Sequence, residues 1–345
     1  MTRPPLRLIL AGDAMLGRGV DEVIATHGPD HPLAALRPYL ADADLVGVNL
    51  ECAITARDTR YAGPPKAFYF RARPAAVEVL RRAGVGLCTL ANNHALDAGP
   101  DGLLDTLRLL DAHGIAHAGA GTDLAAARAP AVLDVGGQRL GVLACCDHQA
   151  DFAASATQAG IDYLDLAEPR QVEGLLQRVR ELAARVDHAI AALHWQPNWV
   201  PAVSADYRAL ARRLVAAGAR LVWGHSPHHF LGVEWLGEAV VLYATGGLLD
   251  DYAVEPYFRN DRQLLFEITL VADAVSRVRA LPLELDFACT APAKGETRQW
   301  IVDRFAAQCR IHGTVLSDDH RWLIVNPAPH RAKPGVMPAV RRTPT

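Results

Sequence analysis

Short apolar runs alternate with longer amphipathic stretches along most of the chain. Short apolar runs bounded by glycine or proline are typical of buried strands, whereas apolar residues repeating at the helical period indicate helices. The pattern predicts strands over residues 6–11, 44–50, 85–91, 131–135, 140–146, 187–193, 221–223, 231–235, 239–243 and 264–271. It predicts helices over residues 99–111, 168–185 and 204–217. This alternation favours a layered α/β fold over a helical bundle or an all-β sandwich.

Polar side chains that can bind a metal ion follow five of the predicted strands. They are Asp13, Glu51, Asn93, His194 and His225, with His228 shortly after the last of them. Because open α/β sheets bind ligands at the carboxyl ends of their strands, we expect these side chains to lie close together. Each also has a simpler explanation when taken alone. Asp13 can cap a helix, Glu51 can face solvent, and a single histidine is often a hydrogen-bonded structural residue.

The last of these strands carries the pattern most clearly. It stops at Gly224, which can adopt backbone angles that other residues resist, and Pro227 stiffens the turn that follows. This turn is expected to hold His225 and His228 outward from the sheet. Carboxylate, amide and imidazole donors together suit Mn, Fe or Zn better than Mg or Ca, which prefer oxygen alone. The candidates outnumber the ligands that one catalytic zinc takes from protein, so two divalent metal ions are predicted. His94 is expected outside the metal shell as a proton donor.

Composition narrows the function classes. The 345 residues are 50% hydrophobic, enough for a sizeable core, and their formal net charge is −3. No cluster of lysine and arginine appears in the body of the chain, which argues against binding to nucleic acid or to an anionic membrane surface. The first apolar run is too short for a signal sequence or a membrane span, so a cytoplasmic location without membrane insertion is predicted. The six cysteines contain no CxxC pair and are expected to be reduced core thiols.

Six ordered motifs resemble those of the capsule-synthesis family typified by the CapA and PgsA proteins of poly-γ-glutamate capsules. The motifs are Gly12-Asp13-x-Met15-Leu16-Gly17-Arg18, Asn49-Leu50-Glu51, Leu90-Ala91-Asn92-Asn93-His94-Ala95-Leu96-Asp97, His194-Trp195, Gly224-His225-x-Pro227-His228 and Tyr243-Ala244-Thr245-Gly246-Gly247. The resemblance covers roughly residues 6–270. That family is in turn similar in fold to the calcineurin-like metallophosphatases.

The resemblance implies a four-layer α/β/β/α sandwich of metallophosphatase type with a dinuclear metal site. The implied roles are Asp13 on one metal, Glu51 bridging the two, Asn93, His194 and His225 or His228 completing the pair, and His94 as an acid or substrate-orienting group. The implied activity is metal-assisted hydrolysis of a phosphoester or a γ-glutamyl-type amide in an anionic substrate, either a small molecule or a polymer. A link to capsule or poly-γ-glutamate metabolism follows, with recruitment to a membrane synthesis complex.

Three positions depart from these patterns. Metallophosphatases usually have a histidine two residues after the first aspartate, where this chain has Met15. Their last two histidines are separated by one residue, whereas two residues separate His225 and His228. Capsule-family members commonly have an asparagine where this chain has Gly247. The first two departures indicate that one metal is held weakly.

Charged side chains outside the ligand set are candidates for substrate contact. Either Arg18 or Arg71 is expected to neutralise charge that develops on a phosphate, and Arg18 is included with Asn93 and His94 in the catalytic set. Asp250, Asp251 and Arg259 follow the last motif, and their alternative explanation is a salt-bridged surface loop. Residues 61–73 and 147–166 lack periodicity and are expected to be irregular surface segments.

The chain is divided into three parts on composition and pattern. Residues 1–285 form the predicted metallophosphatase-type domain, and residues 286–317 form an extension packed on it. Residues 318–345 are rich in proline and in basic residues, and they are predicted to be a mobile tail.

Other function classes fit the sequence less well than a hydrolase. A serine hydrolase would need Ser226 in a Gly-x-Ser-x-Gly elbow, but the last position is His228. A nucleotide-binding enzyme would need a glycine-rich phosphate loop after the first strand, and none is present there. The serious alternative is a non-catalytic accessory or scaffold protein of capsular polymer synthesis or export that binds an anionic polymer in the metal pocket. Met15 and the histidine spacing favour that alternative, whereas His94 favours the enzyme.

Overall fold

A computed structural model describes residues 4–328 of the chain. Its strands are β1 (Leu6–Ala14), β2 (Leu45–Leu50), β3 (Ala53–Ile54), β4 (Arg71–Ala72), β5 (Val85–Thr89), β6 (Ala116–Ala118), β7 (Ala120–Gly121), β8 (Ala131–Val135), β9 (Gln138–Cys146), β10 (Gly160–Ile161), β11 (His188–His194), β12 (Leu221–His225), β13 (Val233–Leu236), β14 (Ala239–Leu242), β15 (Gly247–Leu249), β16 (Arg262–Val271), β17 (Ala274–Asp286), β18 (Cys289–Pro292), β19 (Thr314–Asp318) and β20 (Leu323–Pro327). Its α-helices are α1 (Arg18–His27), α2 (Arg37–Leu40), α3 (Val77–Arg82), α4 (Gly99–Ala112), α5 (Leu124–Arg128), α6 (Pro169–Ala183), α7 (Ala205–Ala216) and α8 (Gly295–Arg310).

Most of these strands belong to two sheets. The larger sheet has the order β19-β20-β17-β16-β1-β2-β5-β6, with β15 also paired to β1 and β18 to β17. One part of this sheet is parallel and consists of β1, β2, β5, β6 and β15. The other part, β16 to β20, is joined by antiparallel pairs, and β16 pairs with β1. The smaller sheet has the order β13-β14-β12-β11-β9-β8, with β9, β11, β12 and β14 parallel. The short pairs β3–β4 and β7–β10 lie outside both sheets.

The two sheets pack face to face. Along β9 and β12, alternate side chains point to opposite faces, as the strand period of two requires. Val142 and Trp223 lie in the large core cluster shared with the larger sheet, whereas Leu143 and Val222 lie in a second cluster with α6 and α7. The indole Nε1 of Trp223 donates a hydrogen bond of 3.1 Å to the Ala11 carbonyl of β1, which connects the sheets directly.

Helices cover the remaining faces. The apolar side of α6 and α7 packs on the smaller sheet, and α3 and α4 pack against β5 and β6 of the larger one. The predicted four-layer α/β/β/α sandwich is therefore confirmed. Helix α8, from the predicted extension over residues 286–317, packs against β16 and β17. Within residues 4–328, no helix is long and apolar enough to cross a membrane.

Most predicted strands are present, and the differences concern where they end. Strand β1 continues to Ala14, so Asp13 lies inside the strand, next to a register shift in its pairing with β2. His194 and His225 are the last residues of β11 and β12. The apolar pattern missed these extensions because a polar metal-binding side chain at a strand end interrupts the pattern without interrupting the backbone ladder.

The predicted carboxyl-terminal tail begins too early in the chain. Residues Leu323–Pro327 form β20, which pairs with β17 and β19, and the side chains of Leu323 and Val325 are buried. Alternate apolar residues thus place this segment in the sheet despite the nearby prolines. The rest of the predicted tail, residues 329–345, lies outside the described residues, and the division into domain and extension stays a prediction.

Gly12 of β1 offers a sharp test of this packing. A Cβ at that position would lie 1.6 Å from the Gly246 carbonyl oxygen, to which the Asp13 amide donates a hydrogen bond of 2.9 Å. We expect Gly12→Ala to lower the free energy of unfolding by at least about 3 kcal/mol. In α6, a Cβ on Gly174 would meet nothing within 4 Å, so Gly174→Ala should raise that free energy by about 0.5–1 kcal/mol. Urea denaturation of both variants would measure the two changes in the free energy of unfolding. Equal effects would contradict the described contact between Gly12 and Gly246.

Candidate metal centre and adjoining cavity

The carboxyl ends of five parallel strands bring the predicted ligands together. Strand pairing places Asp13 beside Asn49 and Asn49 beside Thr89 in the larger sheet. In the smaller sheet, His194 pairs with His225. Because the two sheets face each other, the carboxylates of one meet the imidazoles of the other. His194 Nδ1 lies 3.9 Å from Asp13 Oδ1, and His194 Nε2 lies 3.8 Å from Glu51 Oε1.

Two groups of three side chains can each hold a metal ion. The first consists of Asp13, His194 and His225, and the second of Asp13, Glu51 and His228. Within each group the ligand atoms all lie within 4.8 Å of one another. Asp13 belongs to both groups, so the geometry gives it the shared position that the resemblance assigned to Glu51.

The chemistry of these atoms fits metal ions. Asp13 Oδ2 and Glu51 Oε1 are buried oxygens without a hydrogen-bond partner among the described residues, a costly arrangement unless a cation lies next to them. The Nδ1 atoms of His194 and His225 face each other at 2.8 Å. The Nε2 atom of His194 lies 2.9 Å from Asn93 Oδ1, and the Nε2 atom of His225 lies 3.3 Å from Thr89 Oγ1. If each Nε2 carries the ring hydrogen, both Nδ1 atoms are acceptors. Two acceptors aimed at one point beside a carboxylate suit a divalent ion.

Asn93 and Asn49 support these ligands. The contact of Asn93 Oδ1 with His194 Nε2 fixes the ring orientation, and a direct bond from Asn93 to a metal stays a prediction. Asn49 donates to Asp13 Oδ1 at 2.8 Å, while its own Oδ1 accepts from Thr89 and Asn92, each at 3.1 Å. Asn49 was not among the predicted site residues, although its position two residues before Glu51 at a strand end was a signal for it.

Burial and neighbouring charge set the protonation of the centre. Burial lowers the pKa of His225 to about 4 and that of His194 well below its ordinary value, so both rings are neutral at pH 7. Burial, reinforced by the charge of Asp13, raises the pKa of Glu51 to about 8. Burial alone would lower the pKa of His228, but the carboxylates of Glu51 and Asp13 outweigh it and raise that pKa to about 9. The second group therefore holds at least one proton, on Glu51 or His228, at neutral pH when no metal is bound.

The unusual spacing of the last two histidines has a structural explanation. Ser226 and His228 have φ angles of 108° and 62°, in the left-handed region that non-glycine residues rarely adopt. This turn sends His225 to the first group and His228 to the second, where its Nδ1 lies 3.5 Å from Asp13 Oδ2. Met15, where metallophosphatases usually have a histidine, is fully buried, and its sulfur accepts a hydrogen bond from the Gly17 amide.

His94 lies beside the centre in a network that the sequence only partly indicated. Its Nδ1 is 2.5 Å from Asp97 Oδ2, and its ring stacks on Phe70 with centroids 3.9 Å apart. Lys66 binds Asp97 Oδ1 at 2.5 Å and also donates to the Asn93 carbonyl. Burial lowers the pKa of His94 to about 4, against the opposing effect of Asp97. Lys66 comes from the segment 61–73, which was expected to run over the surface, and its contacts with Asp97 and Asn93 were not predicted.

A cavity of about 500 Å³ opens beside this centre, within the usual size range of ligand sites. Its walls are aromatic, amide and basic side chains, with contributions from Arg18, Lys66, Ala67, Phe68, Phe70, Asn93, His94, Gln149, Asn198, Trp199, His228, Tyr252 and Ala253. Four of them, Arg18, Gln149, Trp199 and His228, have φ angles between 53° and 66°. Strained backbone of this kind costs free energy and is concentrated at functional sites.

The structure brings only some of the predicted substrate contacts to this cavity. Arg18 lines it, whereas Arg71 binds the Arg57 carbonyl and Asp58 at the surface. Arg259 pairs with Asp261 away from the cavity, which is the salt-bridged alternative considered above. Asp250 and Asp251 line a neighbouring cavity, with Tyr252 as the wall between the two.

One known family matches most of the chain. Residues 7–252 match the sequence model of the family described as bacterial capsule synthesis protein PGA_cap. The chain belongs to this family. The matched segment runs from β1 to Tyr252 and so includes the ligand groups, His94 and Arg18.

Named relatives of this capsule synthesis family member come from several bacteria. A probable polyglutamine synthesis accessory protein of Mycobacterium tuberculosis is 30% identical, over 85% of this chain and 88% of the relative. The capsule biosynthesis protein CapA of Bacillus anthracis is 24% identical over 83% of this chain and 69% of its own. The PGA biosynthesis protein CapA of Bacillus subtilis is 26% identical over 83% and 73%.

Solved structures similar to this family member include two from Thermus thermophilus. A 5'-nucleotidase precursor has a TM-score of 0.48 and 18% identity, over 87% of this chain and 58% of its own. A hypothetical protein has a TM-score of 0.47 and 15% identity, over 81% of this chain and 99% of its own.

The raised pKa values of Glu51 and His228 predict proton release on metal binding. At pH 7 the metal-free pair of Glu51 and His228 holds at least one proton, and that proton must leave before both residues act as ligands. Loading with Mn at pH 7 should therefore release at least about one proton per protein, and the affinity should fall as the pH is lowered. Calorimetric titrations in buffers of different ionisation enthalpy measure the release. The Glu51→Gln variant should release fewer protons, and a heat independent of buffer would contradict the assignment.

Proposed function

We propose that this member of the capsule synthesis family is a metal-dependent hydrolase that cleaves a phosphoester or a γ-glutamyl-type amide in an anionic substrate. The single observation that supports this most is the pair of ligand groups sharing Asp13, with unpartnered buried carboxylate oxygens, beside a cavity of ligand size. The one ion-pair contact to these two oxygens from the second group, His228 Nδ1 at 3.5 Å from Asp13 Oδ2, comes from a candidate ligand of the same group. The names of the relatives connect the proposal to capsule or poly-γ-glutamate metabolism.

Asp13, Glu51, His194, His225 and His228 would hold two divalent ions, Mn, Fe or Zn. Bound there, the ions would supply a nucleophile from water at neutral pH and would polarise the scissile phosphoryl or carbonyl group. The neutral imidazoles of the first group are already in the protonation state that ligation requires. Asn49 and Asn93 keep Asp13 and His194 in orientation.

His94 is the group proposed to move a proton at the substrate. With Nδ1 bound to Asp97, its Nε2 is the nitrogen left for the substrate, and the Phe70 ring keeps it in plane. The ring is neutral before substrate binds, because burial lowers its pKa to about 4. A substrate anion beside it would raise that pKa and favour the charged ring, which then donates to the leaving group. Arg18, partly exposed in the cavity wall, would bind the anion.

The second candidate function is an accessory or scaffold protein of capsular polymer synthesis or export, which binds an anionic polymer in the same cavity without turnover. It is favoured by the name of the mycobacterial relative, which is described as an accessory protein. Met15 in place of a histidine also favours it. A cytoplasmic location with recruitment to a membrane synthesis complex belongs to both candidates, and neither requires nucleic acid.

The first experiment measures metal and activity together. Purified protein should contain about two equivalents of Mn, Fe or Zn, and with added Mn it should hydrolyse at least one of a phosphomonoester, a phosphodiester or a γ-glutamyl amide. The Asp13→Asn variant should lose both metals and activity, because Asp13 serves both ligand groups. Asp101→Asn, on the exposed side of α4, is the matched control and should retain both.

Two results would argue against the hydrolase. Absence of bound metal under metal-replete conditions would contradict the metal-dependent mechanism. Two bound metals without turnover of any of the three substrate classes, together with tight binding of poly-γ-glutamate, would favour the scaffold.

A second variant tests the role of His94. His94→Gln should lower kcat by about 10²–10⁴ while metal content stays unchanged, because the residue moves a proton and is not a ligand. Asp97→Asn should have a similar effect if it fixes the tautomer of His94. Loss of metal in His94→Gln would show that the residue instead supports the ligand shell.

A further inference from the structure

Tyr252 lies next to the candidate metal centre without being one of its ligands. It follows β15 in an irregular segment, and its side chain is part of the wall of the cavity beside the centre. Its hydroxyl lies 3.3 Å from Glu51 Oε2 and donates a hydrogen bond to that oxygen. Because Glu51 belongs to the second ligand group, this hydrogen bond joins a residue outside the group to a candidate ligand inside it.

Contacts on two sides hold the Tyr252 ring in place. It stacks on Phe70 with ring centroids 5.5 Å apart and planes inclined by 26°. The ring of His228 meets it edge to face, with centroids 5.4 Å apart and planes inclined by 76°. The Tyr252 amide donates a hydrogen bond of 2.9 Å to Asp250 Oδ1, which fixes the backbone from which the side chain starts. Since a tyrosine side chain has only two χ angles, these contacts keep the hydroxyl beside Glu51.

The hydroxyl makes the two oxygens of Glu51 unequal. Oε2 has the tyrosine as its partner, whereas Oε1 is buried and has no hydrogen-bond partner among the described residues. Oε1 is also the oxygen that lies 3.8 Å from His194 Nε2, on the side of the first group. A carboxylate can bind a metal ion through one oxygen or through both. With Oε2 already bonded to the tyrosine, Oε1 is the oxygen left for an ion.

The contacts of Tyr252 favour one ligand group over the other. It touches Glu51 and His228, which both belong to the second group. Within residues 4–328, no hydrogen bond or ring contact joins Tyr252 to His194 or His225. Removal of the tyrosine hydroxyl is therefore expected to act on the second group and to leave the first group as it is.

We propose that Tyr252 is a positioning residue of the second ligand group. Its hydroxyl holds Glu51 so that Oε1 alone binds an ion, and its ring holds His228 beside Asp13. Residues that orient a metal ligand from outside the ligand set typically change metal affinity by about 10–100-fold when they are removed. The proposal rests on the metal binding in the proposed function, but it does not depend on hydrolysis.

A titration of the metal-free full chain with Mn tests this role, with the affinity of each of the two binding steps measured by calorimetry. Tyr252→Phe keeps the ring and removes the hydroxyl. It should weaken one binding step by at least about tenfold and leave the other step unchanged. Equal weakening of both steps, or no change in either step, would overturn the proposal.

A double-variant cycle assigns the weakened step to the second group. Glu51→Gln alters the ligand that the hydroxyl holds, so adding Tyr252→Phe to Glu51→Gln should cause no further loss of Mn affinity. Two residues that act through the same contact give effects that do not add, whereas independent residues give additive effects. Additive losses in the double variant would show that Tyr252 acts on metal binding by a route other than Glu51.

Tyr243→Phe is the matched control. The Tyr243 hydroxyl donates a hydrogen bond of 2.5 Å to Glu234 Oε2, so this is also a buried tyrosine–glutamate pair. Neither residue belongs to a ligand group, and the Tyr243 side chain lies in the second core cluster with α6 and α7. This variant should leave both binding steps unchanged. The same selective loss in Tyr243→Phe would contradict a specific role of Tyr252.

The visible absorption of bound Co(II) gives a second readout, because it weakens as the coordination number of the ion rises. In Tyr252→Phe both oxygens of Glu51 are free to bind one ion, so the absorption should be weaker than in the unmodified protein. Tyr243→Phe should leave it unchanged. Identical spectra for Tyr252→Phe and the unmodified protein would contradict binding through Oε1 alone.

The outcomes separate this proposal from the proposed function. Two bound metals without hydrolysis, together with a selective loss in Tyr252→Phe, would count against the hydrolase and support the positioning role. Hydrolysis with two bound metals, together with unchanged affinities in Tyr252→Phe, would overturn the positioning role alone. Absence of metal binding in the unmodified protein would overturn both.

Discussion

Two carboxylates, Asp13 and Glu51, are buried at the meeting point of the two sheets, each with one oxygen that no described residue satisfies. Several neighbouring side chains offset the free-energy cost of burying these carboxylates. Asn49 donates to Asp13, Tyr252 donates to Glu51, and His228 Nδ1 lies 3.5 Å from Asp13 Oδ2. Buried charge of this kind is destabilising unless it is paired or coordinates an ion, which is why the proposed function places cations next to these two residues.

The facing sheets make this arrangement possible. Parallel strands bring their carboxyl ends to one edge, and each sheet contributes a different chemistry there: the larger sheet carries the oxygen ligands, and the smaller one carries the imidazoles. Trp223 ties the sheets together a short distance below, through its hydrogen bond to β1. The site is thus built on backbone that is rigid on both sides, which holds ligands in place better than loops do.

The sheet order of the fold was not readable from the sequence, but the strands that carry the candidate ligands were, for a physical reason. An apolar run that ends in Asp13, Glu51, His194 or His225 combines a strand signal with a ligand signal at the edge where α/β folds bind ligands. The sharing of Asp13 between two groups was not predictable. It depends on the register shift in the pairing of β1 with β2, and on the turn in which Ser226 and His228 have left-handed backbone. The contacts of Lys66 and Asp251 were not predictable either, although Asp251 itself was a candidate for substrate contact. Their roles come from contacts with residues distant in the chain, and no local pattern encodes them.

The position of β1 between β2 and β16 has a consequence for synthesis of the protein. β1 leaves the ribosome before the other described strands, yet its parallel neighbour β15 beside Asp13 and its antiparallel neighbour β16 follow only after β2 to β14. Contacts so distant in sequence form slowly, because the chain must close a very long loop before they stabilise it. A nascent chain therefore presents Asp13 and Glu51 long before His225 and His228 exist, and it cannot complete either ligand group. If the two groups hold metal as proposed, they can do so only in chains that have been synthesised beyond His228.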